Sequence, residues 1–156
     1  FASKRDLFVA VLESYSSLSL FNEELKARLT WNLTEDLTVI ATMFLGMTEA
    51  STLAMLTSIT EALRYPEYRE LVAEPPRRQL EFMTWYFEEQ VARGGCRHLA
   101  DPTLTAQAFL GIFFEHSIGR AIYLPDSPEP DTAVATLVEL FVRGVAPETP
   151  DEPPGS

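Results

Sequence analysis

Apolar residues recur at three- and four-residue steps along almost the whole chain, and no stretch sustains strict apolar–polar alternation, so the pattern predicts an all-α protein. Ser3 is placed to cap a first helix, with Asp6 three positions on, and Leu7, Phe8, Val11, Tyr15 and Leu18 form one face over residues 4–20. Phe1, just outside the cap, is placed to staple onto Leu7. Periodicity is weak from Phe21 to Leu33. Thr34 then reads as the cap of a helix ending at Leu45, because Gly46 suits the left-handed residue past a helix end. Another helix begins at Ser51 with Leu53, Leu56, Ile59 and Leu63 as its core stripe. It stops at Tyr65, since the residue before Pro66 disfavours helical geometry.

Pro66 opens a short helix that the pair Pro75-Pro76 interrupts, and a longer one follows from Arg77 to Arg93, ended by Gly94-Gly95. Asp101-Pro102 is a cap followed by a proline at the first helical position, which opens a helix to Leu124. The turn PDSPEP reverses the chain into a last helix, Asp131 to Gly144. Beyond it, proline and acid dominate, so residues 147–156 are expected to be a disordered tail. The expected organisation is one domain of six to seven helices over residues 4–146.

The order of these segments carries a resemblance. The opening F-x-S-K-x-x-L-F (Phe1, Ser3, Lys4, Leu7, Phe8) resembles the end of the DNA-binding domain in the tetracycline-repressor (TetR) family of bacterial transcription regulators. The runs EALRYPEYRELV and HLADPTLTAQAFLGIFF are similar in order and spacing to the middle and end of that family's regulatory domains. Phe1, which is not methionine, reads as a cut or an ordering limit, and the resemblance implies that residues 1–3 are the remnant of a helix-turn-helix domain lying upstream. It further implies a ligand-responsive regulator, most simply a repressor, that meets operator DNA through the missing domain. Ser3 and Lys4 would then meet the DNA backbone, the lysine beside a helix N-terminus that favours phosphate.

Composition narrows the function classes. The net charge is −11, and from Pro125 onward seven acids (Asp126, Glu129, Asp131, Glu139, Glu148, Asp151, Glu152) face Arg143 alone. Such a surface repels phosphate, so this stretch is not expected to bind nucleic acid strongly by itself. The longest uninterrupted apolar run is too short for a bilayer, and a soluble, cytoplasmic protein without a membrane partner is expected. Cys96 has no disulfide partner, and His98 and His116 do not make a metal spacing, so no metal or cofactor is expected. No G-x-S-x-G, phosphate loop or H-E-x-x-H is present, and adjacent acids such as Glu88-Glu89 point apart on a helix. The chain does not read as an enzyme.

The helix from Pro102 is apolar on two sides. Leu104, Ala108, Gly111, Glu115, Gly119 and Ile122 share one side, and Ala106, Leu110, Phe113, Ser117 and Leu124 the other. One side buries in its own domain; the other calls for a partner helix, or for the middle helices of the same chain. With Leu137 and Phe141 of the last helix, two such hairpins would form the intersubunit four-helix bundle that the family resemblance implies, and hence a homodimer. The wide apolar arc Phe82, Trp85, Tyr86 and its expected neighbours Met43, Phe44, Met47, Met55, Ile59 and Phe113 reads either as an ordinary core or as the lining of a cavity for a small hydrophobic effector. His116 is the sharpest polar candidate there, with Arg120 and Tyr123 near it, although it also suits a bond at the dimer seam. A helical partner-binding or scaffold module without a small ligand is the alternative reading.

Overall fold

In this computed structural model the described residues are 21–147, together with Asp6, Val9 and Ala10. The expected first helix face, the cap at Ser3, Lys4 and the acidic tail from Glu148 lie outside them. The described elements are α1 (Glu23–Arg28), α2 (Leu33–Arg64), a 3-10 turn (Pro66–Tyr68), α3 (Arg69–Ala92), α4 (Pro102–Ile122) and α5 (Pro130–Val145), with no strand among the described residues.

Asn22 starts α1, its side chain accepting from the Leu25 amide at 3.0 Å, and Asn32 rather than Thr34 starts α2, accepting from the Glu35 amide at 3.1 Å. Between these caps Trp31 adopts a left-handed backbone with φ of 65°. The sequence pattern predicts two helices across residues 34–65, whereas one helix of 32 residues spans them. Gly46 costs about 1 kcal/mol inside a helix relative to alanine. That is too little to break it when Phe44 and Leu45 on one side and Thr48 and Thr52 on the other are all buried.

The second half of α2 is also rotated from its expected face. Leu53 and Leu63 are 80% and 73% exposed, and Ile59 is exposed as well, while Thr48, Thr52, Ser58 and Ala62 face inward. Burying these hydroxyls is inexpensive because each is satisfied locally: Thr52 donates to the Thr48 carbonyl at 2.6 Å and Ser58 to that of Ala54 at 2.8 Å. Thr48 also meets Ser117 of α4 at 2.7 Å, a polar rivet between two helices.

A second expected break fails at the proline pair: α3 runs through Pro75 and Pro76 without interruption. Each proline removes an amide donor. Two surface ion pairs bracket the site, Arg77 with Glu70 at 3.4 Å and Arg78 with Glu74, and the packed half from Phe82 to Gln90 anchors the rest. The end of α3 falls where the sequence places it. Gly94 is left-handed at φ 76°, and the Gly95 and Cys96 amides both donate to the Gln90 carbonyl at 2.8 and 3.2 Å.

Asp101 caps α4 as expected, accepting from the Leu104 amide at 2.8 Å, with Pro102 at the first helical position. The far end of α5 is closed by Arg97, whose backbone amide donates to the Val145 carbonyl at 3.0 Å and whose Nε donates to that of Gly144 at 2.8 Å. A cation at the negative end of a helix suits the macrodipole.

Helix α2 is the central element. On its inner side Leu37, Ile40 and Phe44 meet α3 (Phe82, Met83, Tyr86, Phe87), α4 (Ala106, Phe109, Phe113) and α5 (Val134, Val138) in one core. Helix α2 is long and apolar enough to cross a bilayer, as core helices of globular proteins also are, and here its inner side is where α3, α4 and α5 pack.

Candidate effector core and pairing face

Aromatic rings run through the core in contact with one another. Phe21 meets Phe44 and Phe82 at centroid distances of 6.1 and 5.4 Å, Phe82 meets Trp85 at 5.6 Å, and Trp31 lies stacked on Tyr86 at 6.1 Å. At the other end Phe109 joins Phe113 at 5.2 Å and Phe141 at 5.1 Å, bridging α4 to α5. Of the expected effector-lining residues, Phe44, Phe82, Tyr86 and Phe113 are buried together in this core, with Met43, Met47 and Trp85 packed on its margin. Met55 is half-buried on the distal half of α2. Ile59, on the exposed side of that half, does not join them.

The polar candidates are largely committed within the chain. The Tyr86 hydroxyl donates to Asp36 Oδ2 at 3.2 Å and accepts from Gln90 Nε2 at 2.8 Å, so it is not free to meet a ligand. Burial, and after it the Asp36 carboxylate, pushes the Tyr86 phenol far above its ordinary range. Asp36 also accepts from the Thr30 and Trp31 amides, at 2.8 and 2.9 Å. Neither Asp36 nor Gln90 is among the residues singled out in sequence. An acid in the first turn of a helix looks like an ordinary dipole partner, and only the fold shows that it is buried.

Arg120 is likewise engaged. Its Nε pairs with Glu49 Oε1 of α2 at 3.1 Å, and its Nη1 donates to the Ser127 and Pro128 carbonyls at 3.1 and 2.5 Å. Tyr123 donates to Glu115, which raises its phenol pKa. His116 stays half-buried, with its Nε2 enclosed and without a hydrogen-bond partner within the chain. No group of three His, Cys, Asp or Glu suited to a metal occurs among the described residues.

Cys96 lies buried behind the α3 terminus, and burial pushes its thiol from 9.0 up to about 11. The fold therefore favours the protonated thiol. That contribution is complete below pH 9 and is lost as pH rises through about 11. At pH 8, alkylation of the folded protein should run roughly a hundredfold slower than that of the urea-unfolded chain. Equal rates would show that the thiol is neither shielded nor shifted.

The residues expected to pair fall on different sides of their helices. Leu104, Ala108, Gly111, Glu115 and Ile122 all lie on the exposed side of α4. Gly119 does not: the Leu124 and Tyr123 side chains lie over it, within 3.5 Å of where a Cβ would stand. On α5, Leu137 and Phe141 pack onto the chain's own core, because α5 turns its valine stripe and Phe141 toward α2 and Phe109. The apolar residue that α5 presents outward is Leu140, 64% exposed. It stands one position away from Phe141, and a period count alone does not separate the two.

Beside α5, an open groove of about 480 Å³ runs between α5 and the first half of α2, floored by Val134, Val138 and Val142. None of the expected effector residues lines it. Thr38 and Thr42, on its α2 wall, spend their hydroxyl protons on their own helix at 2.7 and 2.8 Å.

Comparison with curated proteins and with solved structures finds no match. A family model describing the C-terminal domain of AefR-like transcriptional repressors matches residues 35–144, which takes in nearly all of α2 through α5. The chain therefore belongs to the TetR family of transcriptional regulators, within which it forms a C-terminal regulatory domain.

Proposed function

We propose that this domain pairs with a second copy through α4 and α5 and couples a small hydrophobic effector to operator binding by a helix-turn-helix domain preceding residue 4, acting as a cytoplasmic repressor. The observation that carries it is the exposed apolar strip of Leu104, Ala108, Gly111 and Ile122 on α4 with Leu140 on α5, outside a core that is already complete. Small residues at Ala108 and Gly111 let a facing helix approach closely, and the leucines and isoleucine supply the buried area. The effector would enter among the aromatic and methionine side chains around Phe44, Phe82 and Phe113, with His116 as its hydrogen-bond partner. Ser3 and Lys4 would meet the DNA backbone. The body performs no catalysis in this scheme; it biases the spacing of two reading heads.

The pairing half is tested by sedimentation equilibrium. The domain should dimerise, and Ile122→Asp with Leu140→Asp should weaken the dimer at least about a hundredfold, since two charges per copy would be buried unpaired. A monomer at all concentrations, or an unaffected double variant, would remove the pairing face. The committed state of Tyr86 and Arg120 favours a second reading, a partner-binding module with no small ligand. Saturable binding of an apolar fluorescent probe, weakened by Phe113→Trp, separates the two.

A further inference from the structure

Helices α4 and α5 are joined in sequence, yet α5 lies on α2, and α4 lies on α2 and α3. The two outward strips thus form one surface only if both helices hold a fixed pose on α2. At their connected end one side chain makes that tie. The Arg120 guanidinium reaches Glu49 on α2 at 3.1 Å, the Ser127 and Pro128 carbonyls of the connecting turn at 3.1 and 2.5 Å, and Glu129 before α5 at 3.8 Å. Glu49 Oε1 is enclosed and accepts no hydrogen bond, so the Arg120 guanidinium meets it as an ion pair at 3.1 Å. One turn back, Thr48 and Ser117 join the same two helices. The turn itself is folded over Gly119, with the Leu124 amide donating to the Gly119 carbonyl at 2.7 Å.

We propose that Arg120 is a positioning residue for subunit pairing: bound to Glu49, it sets α4, α5 and their turn in the pose that aligns the two strips, although neither residue lies on the strips. This rests on the pairing proposed above. The planar fork matters, because Nε, Nη1 and Nη2 face Glu49, the turn carbonyls and Glu129 from separate atoms, whereas an ammonium donates from a single nitrogen.

The test measures the dimer dissociation constant by sedimentation equilibrium, with circular dichroism and thermal melting of the same samples, for the parent, Arg120→Met, Glu49→Gln, the double variant and Arg120→Lys. Arg120→Met and Glu49→Gln should each weaken the dimer about tenfold at unchanged helicity. The double variant should be no weaker than Arg120→Met, since both changes break one tie. Arg120→Lys should fall between, and with Glu49→Gln it keeps the test open if Arg120→Met does not fold. A role confined to stability would lower the melting temperature and leave the dissociation constant in place, which overturns the proposal. A parent protein that never dimerises overturns both this and the pairing reading; a dimeric parent with unmoved variants overturns this one alone.

Discussion

Phe109→Ala should destabilise the domain by about 3–5 kcal/mol, enough to unfold a large share of an ordinary domain of this size. Phe109 is fully buried on α4, and its ring meets Phe87 of α3 at 6.3 Å, Phe113 at 5.2 Å and Phe141 of α5 at 5.1 Å. Truncation loses the transfer energy of the ring and leaves a void whose walls come from three helices, so collapse of one wall opens a gap at another. Edge-to-face pairing adds about 0.5–1.5 kcal/mol per ring pair beyond area. Urea titration at fixed protein concentration should show a lower midpoint with unchanged slope, and Phe109→Leu should recover most of the loss. Concentration must be held constant because the proposed pairing would add to apparent stability. A loss under about 1.5 kcal/mol would mean that the core repacks and that Phe109 is not its junction.

The residues that decide the fold differ in how plainly they speak. Asp101-Pro102 and Gly94-Gly95 act through their own backbone chemistry, and both boundaries stand where their residue types place them. At Gly46 and Pro75-Pro76 the residue types favour a break by one to a few kcal/mol, and the packing on either side, invisible in sequence, exceeds it. The distal half of α2 is the opposite case. Thr48, Thr52 and Ser58 look like a wet face, yet hydroxyls that bond back to their own helix can be buried, and the leucines they displace are turned outward. At the candidate sites, residue type was legible and commitment was not. Tyr86 and Arg120 have the chemistry of ligand partners, and only the spatial neighbours Asp36, Gln90 and Glu49 show that they are already engaged. Phe141 and Leu140 sit side by side in sequence, and the rotation of α5 that selects between core and surface is set by contacts with α2 and Phe109.

The second large effect is expected at Asp36, the buried acid that joins three parts of the chain. Its Oδ1 accepts from the Thr30 amide and hydroxyl at 2.8 and 2.9 Å, and its Oδ2 from the Trp31 amide at 2.9 Å and the Tyr86 hydroxyl at 3.2 Å. It thereby holds the α1–α2 connection in a form where Trp31 is left-handed, a state that costs roughly 1–2 kcal/mol for a residue of this kind. The ring that results lies against Tyr86 and Trp85 and beneath the Arg93 guanidinium at 3.8 Å, closing this end of the aromatic core. Asp36→Ala strands two amides and a phenol and releases the constraint on Trp31, for a loss of about 3–5 kcal/mol. Asp36→Asn keeps acceptor capacity on one oxygen and should lose about half as much, and Tyr86→Phe, which removes the bonds to Asp36 and Gln90, about 1–3 kcal/mol. A double-mutant cycle between Asp36→Ala and Tyr86→Phe should show the pair to be strongly non-additive, because the tyrosine has no carboxylate to meet once Asp36 is gone. Tryptophan emission should shift to the red in Asp36→Ala before global unfolding, as the Trp31 connection loosens ahead of the core. If Asp36→Ala and Asp36→Asn cost the same small amount and the emission does not move, the loop is held by its ring contacts alone and the acid is incidental.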